Sequence, residues 1–438
     1  MQRLLSLEQT PPLGVPLRFF LTAPLFAVAA GLVLLIQGPD ALLSRWTPTL
    51  LALTHLLTLG FLGLIMLGAL MQILPVVAGV EIAYPALTAK SAHALLTAGA
   101  MALAGGFLSG ERWLFQLALP ALVIGFAVFL IACWLGIRTS DSDNVTLKAV
   151  RLSLWSLLFA LAAGLLMLLS YASEVPRPAL PLTDLHVMWG LGGWIGLLVV
   201  AVAYQVVPMF QMTALYPALL TKRLALAIFL ALAGAALIMV FLGGAHLAPR
   251  VFQAGAAAGY LVFGMASLGL LYRRKRAQRE ATTLFWYLAL ISLAICALLF
   301  LASFAVPSLQ EKQPYTLMLG MLFIVGFAFS VTNGMLYKIL PFLSWYHLQN
   351  CLTDRSKRAP NIKQFIPEAR ARRQFACHVL ALILLLAACW RPEMFTHPAA
   401  LVFILSSVLF SLNLLDAVRL YQRQRQLLMA PDAGVVSE

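Results

Sequence analysis

Residues 53–79 read LTHLLTLGFLGLIMLGALMQILPVVAG. The stretch contains no Asp, Glu, Lys or Arg, and its one ionisable side chain is His55. An α-helix rises 1.5 Å per residue, so about 20 such residues cross a hydrocarbon core of about 30 Å. The stretch therefore predicts a membrane-spanning helix that carries a histidine near one end.

Stretches of this kind recur along the whole chain of 438 residues, of which 62% are apolar and 11% charged. A soluble domain has about 25% charged residues, and a membrane barrel would show short alternating segments instead. The sequence therefore predicts an all-α membrane protein. We expect twelve transmembrane helices, at residues 16–36, 50–79, 90–108, 113–137, 151–172, 183–212, 224–244, 251–272, 283–305, 315–345, 374–390 and 398–420.

The net charge of +14 indicates orientation rather than binding to nucleic acid. If the N-terminus is cytoplasmic, 23 of the 30 Lys and Arg residues fall on the cytoplasmic side, as the positive-inside rule requires. We expect a multi-pass protein of a bacterial-type inner membrane with both termini in the cytoplasm, and no cleaved signal peptide. The opposite loops carry Arg45, Arg112, Arg177, Arg250, Lys312 and Arg391.

Three of the predicted helices end in similar motifs, which indicates an internal repeat. The motifs are Gln72-Ile73-Leu74-Pro75, Gln205-Val206-Val207-Pro208 and Lys338-Ile339-Leu340-Pro341. The interval from Pro75 to Pro208 equals the interval from Pro208 to Pro341, and we call it the repeat interval. Each interval holds four predicted helices. We expect one membrane domain, 1–438, built of three pseudo-repeated four-helix arcs at about 16–148, 149–280 and 281–422, with a basic cytoplasmic loop at 349–373.

His55 and His186 lie inside the second and sixth predicted helices, toward the outer leaflet. Imidazole is a good ligand for haem iron and copper, whereas a histidine near a helix end can also serve only as a hydrogen-bonding group between helices. The two residues precede their prolines by 20 and 22 positions. That offset turns a helix by about 200°, which allows the two histidines to face different cavities.

The tenth predicted helix has no histidine, since Leu319 and Met321 occupy the corresponding positions. It carries a polar stripe instead, which could line the pathway of a transported solute. A structural interpretation is also open, because glutamine hydrogen-bonds between helices and lysine extends to the membrane interface. The residues of this candidate polar pathway are Gln72, Gln205, Asn333, Tyr337 and Lys338.

The topology and the histidine positions resemble subunit I of the haem-copper oxidases. The stretch His55 to Gly79, with Leu59-Gly60-Phe61, Gly68 and Pro75, is more similar to the second helix of NnrS-type haem-copper membrane proteins. This resemblance implies His55 as a haem ligand and His186 as a metal ligand, with haem b and copper as cofactors. Because residues 224–244 and 315–345 contain no histidine, dioxygen reduction by the oxidase route is not expected.

The sequence thus leads to an integral membrane haem- and metal-binding protein in nitric-oxide or respiratory stress metabolism or in oxidase biogenesis. Its expected partners are the lipid bilayer, respiratory-chain subunits or a small gaseous ligand. Whether it is an enzyme stays open. Two alternatives remain at this point, a transporter of a small solute or metal and a cofactor-free respiratory scaffold.

Overall fold

The computed structural model describes residues 7–140, 144–176, 181–242, 247–276, 278–352 and 358–429. Arg3, Arg177, Arg355 and Lys357, which the charge distribution assigns to loops, lie outside these residues.

The protein is all-α, and twelve of its helices are long and apolar enough to cross a membrane. This confirms the predicted fold class, a multi-pass integral membrane protein. We number these helices as spans 1 to 12. Their bounds are Gly14–Leu42, Pro48–Ala78, Pro85–Ser109, Arg112–Arg138, Val145–Ala172, Pro181–Gln211, Ala218–Leu242, Leu247–Tyr272, Ala281–Ala305, Gln313–Asn350, Glu368–Trp390 and Pro392–Leu428.

Several spans extend beyond the uncharged stretches from which they were predicted. The basic loop predicted at 349–373 is shorter than expected, because span 10 continues to Asn350 and span 11 begins at Glu368. A short helix, Ile362–Phe365, lies between them. Charged side chains at a helix end can reach the polar interface, so a span can continue past its apolar segment.

Spans 2, 6 and 10 form the interior of the protein. Among the 18 most apolar consecutive residues of each of these spans, 83%, 56% and 67% are buried, compared with at most 50% in the other nine spans. Spans 7 and 8 are only 33% buried and present Leu, Val and Phe side chains outward. Because apolar surface of this extent is favourable only against lipid, the outer spans face the bilayer.

The three interior spans share an irregularity that the sequence pattern did not predict. Each contains a π-helical segment, and these segments are Leu56–Gly63, Met188–Gly196 and Leu322–Phe329. Successive segments end one repeat interval apart, at the same spacing as the prolines. Wide turns of this kind are rare and are often found at functional sites.

A glycine in each π-helical segment allows the first helix of the same four-helix unit to approach closely. A Cβ atom at Gly60 would lie 2.2 Å from the ring of Phe26 on span 1. Equivalent Cβ atoms at Gly193 and Gly326 would lie 2.6 and 2.7 Å from serine Cβ atoms on spans 5 and 9. These three glycines are again separated by the repeat interval, so the same packing contact occurs in each unit.

An apolar cavity of about 60 Å³ lies where spans 2, 6 and 10 meet. Its lining includes sets of three residues separated by the repeat interval, which supports our proposal that the chain consists of three repeats around a pseudo-threefold axis. These sets are Ile65, Leu198 and Val331; Met66, Val199 and Thr332; Ala69, Val202 and Met335; Leu70, Ala203 and Leu336; and Ile73, Val206 and Ile339.

Candidate functional site

His55 is positioned by the start of span 2. Thr47 caps the helix by accepting a hydrogen bond from the Leu50 amide at 3.2 Å, and Pro48 occupies the first turn, where its missing N–H costs nothing. His55 follows two turns later, directly before the π-helical segment. Its Nδ1–H donates to the Leu51 carbonyl oxygen at 2.8 Å. This bond assigns the proton to Nδ1 and leaves Nε2 as the basic nitrogen.

His186 has the same kind of anchor, but on a neighbouring helix. It lies in the first α-helical segment of span 6, Pro181–Val187, and its Nδ1–H donates to the Ala160 carbonyl oxygen of span 5 at 2.9 Å. A Cβ atom at Gly164 would lie 2.8 Å from Cε1 of His186. The absence of a side chain at this glycine therefore makes room for the imidazole.

The structure brings the two histidines together. Their ring centroids are 6.1 Å apart and their planes differ by 20°. Both side chains are partly buried, and within the described residues no hydrogen bond involves either Nε2. The offset of two residues relative to the prolines, which allowed two separate cavities, does not keep the histidines apart.

The arrangement of the spans explains how non-equivalent positions meet. Spans 2 and 6 are neighbours around the central cavity, and a contact between neighbours in a ring joins two different faces of the repeated element. The residues of span 2 that contact span 6 are therefore not at positions equivalent to the residues of span 6 that contact span 2.

Aromatic side chains pack beside the histidine pair. The Phe107 ring centroid of span 3 lies 5.5 Å from that of His55. Phe107 in turn contacts Phe115 and Tyr171, which extend the cluster onto spans 4 and 5. Such rings exclude water from one side of the pair and restrict how the imidazole of His55 can turn.

An ion pair lies next to the site, near the start of span 6. Asp184, two residues before His186, accepts a hydrogen bond from Arg45 at 3.1 Å, and both side chains are more than a third exposed. The Arg45 guanidinium also lies 4.4 Å from the ring centroid of Trp46. An exposed pair of this kind contributes about 0–1 kcal/mol to stability, so its main effect is to connect the loop before span 2 with the start of span 6.

The donor set is suited to a metal held by two imidazoles. With a metal–nitrogen bond of about 2.0 Å, two imidazoles that share one metal have ring centroids about 6 Å apart. Donation of Nδ1–H to a carbonyl oxygen, with Nε2 left basic, is the usual orientation of a ligating histidine. No cluster of three or more His, Cys, Asp or Glu is found in the described parts of the chain. The pair therefore offers two protein ligands.

The residues of the candidate polar pathway are distributed over spans 2, 6 and 10. Gln72 is buried and Gln205 partly buried, on two different interior spans. Asn333 and Tyr337 are buried on span 10. Lys338 contacts the Glu280 carboxylate, which also accepts a hydrogen bond from Arg276 at 2.7 Å.

The ion pair joins Lys338 to Glu280, the residue that directly precedes span 9. Burial by itself raises the pKa of the Glu280 carboxyl, but the hydrogen bond and charge of Lys338, together with the charge of Arg276, hold that pKa below its ordinary value. Glu280 therefore stays ionised and keeps Lys338 engaged in a salt bridge.

The sequence pattern failed to indicate His378 as a buried residue. The predicted start of span 11 at residue 374 puts His378 near the membrane surface, whereas the structure starts this helix at Glu368 and buries His378 completely. Its Nε2 is hydrogen-bonded to Ser330 Oγ of span 10 at 2.8 Å. The signal that could have revealed it is the run of helix-favouring residues from Glu368 to Arg373, which forms the first turns of the span.

Comparison with known proteins adds no family to this geometry. No protein-family model matches the chain, and no curated protein matches it either.

Proposed function

We propose that this protein binds a redox-active metal centre inside the membrane, with His55 and His186 as the protein ligands. The supporting observation is the convergence of the two imidazoles, 6.1 Å apart, with both Nδ1 atoms bonded to carbonyl oxygens. Ionisable side chains inside a bilayer are costly. Two of them placed together with free basic nitrogens are best accounted for by a shared ligand.

A b-type haem is the cofactor that we favour, and a copper ion is the alternative. Histidine is a common ligand of haem iron, so His55 and His186 would hold the haem, and Gly164 gives the His186 ring the room it needs. When bound, the haem would supply one-electron chemistry or a site for a small gas. The chain's own residues would fix both ligands, with the aromatic cluster around Phe107 keeping water from the pair.

The resemblance to NnrS-type proteins supports a role in nitric-oxide or respiratory stress metabolism or in oxidase biogenesis. We extend the proposal to those processes, with a small gas or respiratory subunits as partners. Spans 7 and 10 contain no histidine within Ala218–Leu242 and Gln313–Met321. A dinuclear centre of the oxidase type therefore lacks its ligands, and we propose no reduction of dioxygen.

The transport alternative has less support in the interior of the protein. The lining of the central cavity contains one polar residue, Thr332, and its hydroxyl donates to the carbonyl oxygens of Ala328 and Phe329 in its own helix. Lys338, which would contact a solute in that alternative, is held by Glu280. A hydrophilic solute would therefore meet an apolar axis.

A visible spectrum of the purified protein tests the proposal directly. We expect a reduced-minus-oxidised difference spectrum and a pyridine haemochrome of the b type, at about one haem per chain. His55→Ala and His186→Ala should each abolish that stoichiometry. His93→Ala is the matched control, because His93 is a partly buried histidine that bonds to Thr22 away from the pair.

Metal analysis of the same samples separates the alternatives. Copper without haem, lost in both variants, would keep the histidine site and change its occupant. Protein expressed with haem and copper available, correctly folded and free of both, would overturn the proposal in favour of transport or a scaffold.

A further inference from the structure

A second buried polar cluster lies in the third four-helix unit, far in sequence from the histidine pair. On span 10, Ser330, Asn333 and Tyr337 are spaced by three and four residues, so they lie along one face of the helix. Ser330 and Asn333 have no exposed surface.

The other two interior spans show that this packing does not require polar residues. The positions one and two repeat intervals before Ser330 and Asn333 hold apolar side chains, all of them buried. These are Leu64, Leu67, Leu197 and Val200. Because spans 2 and 6 pack well with leucine and valine at these positions, the polar side chains of span 10 serve a purpose other than folding.

His378 of span 11 completes the cluster. It is completely buried about 15 Å along its helix from Glu368, at 1.5 Å per residue. Its Nε2 bonds to Ser330, and its ring lies between those of Phe285 and Phe329, with centroids 5.6 and 5.4 Å away. Nδ1 has no hydrogen-bond partner among the described residues.

Asn333 is the second group with unsatisfied polar atoms. Neither its Oδ1 nor its Nδ2 has a partner in the part of the chain that the structure describes. Donors and acceptors buried in a membrane are costly unless they are satisfied. Internal water molecules, each bonding to two to four polar groups, are the usual way to satisfy them.

A hydrogen-bonded network continues from this cluster toward the predicted cytoplasmic face. The Tyr337 hydroxyl donates to Gln374 Oε1 at 3.1 Å and accepts from Asn413 Nδ2 at 3.0 Å. Gln374 Nε2 donates to Ser406 Oγ at 3.1 Å. Since Tyr337 is one turn from Asn333, and Gln374 one turn from His378, the polar groups form a column across spans 10, 11 and 12.

We propose that Ser330, Asn333 and His378 form a water-binding site in the membrane interior, through which His378 exchanges protons with the predicted cytoplasmic face. A proton that enters from that face is carried by the bound water as hydronium and passed to Nδ1, which leaves a neutral water behind, and the reverse transfer returns the proton to that face. Only protons move, and no oxidant or reductant takes part. This site shares no residue with the outer histidine pair.

The groups around the site leave His378 as its main proton acceptor. Tyr337 is the titratable side chain of the column on span 10, and the contacts from spans 9 and 12 come from the uncharged residues Phe285 and Asn413. The ion pair of Lys338 and Glu280 lies at the end of the column that is nearest the predicted cytoplasmic face.

Deuterium exchange at the histidine Cε1–H, read by peptide mass spectrometry on the full chain in lipid nanodiscs at fixed pH, tests this proposal. We expect measurable exchange at His378 in the unmodified protein. Asn333→Leu and Ser330→Leu, which install the residues found at the equivalent positions of span 2, should slow that exchange at least about tenfold, because a polar network loses function when one member is removed. Asn333→Gln should retain most of it.

Two controls exclude a general loss of structure. His93 should keep its exchange rate in every variant, which a misfolded protein would not allow. Ser407→Ala removes another buried hydroxyl of the same unit, one that donates to the Phe403 carbonyl oxygen at 2.8 Å, and should leave His378 unchanged. Equal His378 rates in the unmodified protein and in both leucine variants would overturn the proposal. So would a His378 that does not exchange while His93 does.

Discussion

The region of spans 2 and 6 around the histidine pair and the region of span 10 around Ser330 differ in the side chains that occupy equivalent positions. The first region carries His55 and His186, whereas span 10 has Met321 and Leu319 at the equivalent positions. The second region carries Ser330 and Asn333, whereas spans 2 and 6 have apolar residues at the positions equivalent to these two.

From this difference we expect that neither polar site is needed to build the fold. Each site can be compared with another part of the same chain in which an apolar residue occupies the same place. Polar side chains in a bilayer carry a desolvation cost. The two sites also lie at different depths and in different units, which points to two separate roles.

The strongest test replaces the two histidines with the residues found at the equivalent positions of the other interior spans. His55→Met and His186→Leu copy Met188 and Leu53, which occupy the equivalent positions one repeat interval away. We expect the affinity of each variant for haem or copper to fall more than about 100-fold, because one of two protein ligands is missing. Equilibrium dialysis followed by metal and haem analysis measures this loss.

Folding should not suffer in the same variants. We expect an unfolding temperature in the metal-free state equal to or above that of the unmodified protein, since an apolar side chain replaces a partly buried polar one. Variants that bind normally would contradict the proposed site. Variants that unfold would instead show that the histidines are structural.

The twelve spans could be predicted because each depends only on local composition. Every predicted uncharged stretch lies within a span to within about two residues, and the observed ends differ where charged residues continue the helix, as at Glu368. The error at this end matters, because it moved His378 from the middle of the membrane to its surface. Local hydrophobicity does not show where a helix begins when its first turn is basic.

The candidate site could be predicted only in part. His55 and His186 are visible in the sequence as ionisable residues in apolar stretches, but their meeting depends on how spans 2 and 6 lie against each other. The π-helical segments add to this difficulty, since they change the angle between residues on either side of Gly63 and Gly196. No spacing rule for a regular helix gives that angle.

A change beside His186 should give a smaller effect than loss of the ligand itself. In Gly164→Ala the new methyl would meet Cε1 of His186 at 2.8 Å, so the ring must move. We expect cofactor affinity to fall about tenfold, as for other groups that orient a ligand, with the haem spectrum as the readout. In Gly190→Ala, one turn from His186, the methyl meets Ala160 Cβ at 3.9 Å. Equal affinity of the two variants would show that Gly164 does not position the ring.

The ion pair between Lys338 and Glu280 should make the free energy of unfolding depend on pH. The pKa of Glu280 is lowered in the folded protein, so its contribution is fully present above the ordinary carboxyl pKa of 4.5 and is lost as pH falls through the folded value. We expect Glu280→Gln to cost about 1–3 kcal/mol at pH 7, less than a fully buried pair because Lys338 is 25% exposed.

The measurement is the free energy of unfolding in mixed micelles from pH 7 down to a pH below the folded pKa of the Glu280 carboxyl, so that the range includes its protonation in both states. The difference between Glu280→Gln and the unmodified protein should shrink toward the acid end. A difference that is constant over this range would show that the carboxylate is not stabilised by its two cations.

Tyr337 and Tyr204 allow spans 10 and 6 to be compared at one pair of identical residues, because they are separated by the repeat interval and both are buried. Tyr337 OH bonds to Gln374 and Asn413 at 3.1 and 3.0 Å, whereas Tyr204 OH donates once, to the Leu220 carbonyl oxygen at 3.3 Å. Tyr337→Phe leaves two buried partners unsatisfied, so we expect a loss of about 1–3 kcal/mol in the free energy of unfolding, against about 0.5–1 kcal/mol for Tyr204→Phe. Equal losses would mean that water already satisfies Gln374 and Asn413, and the column would then be more hydrated near Tyr337 than its direct hydrogen bonds indicate.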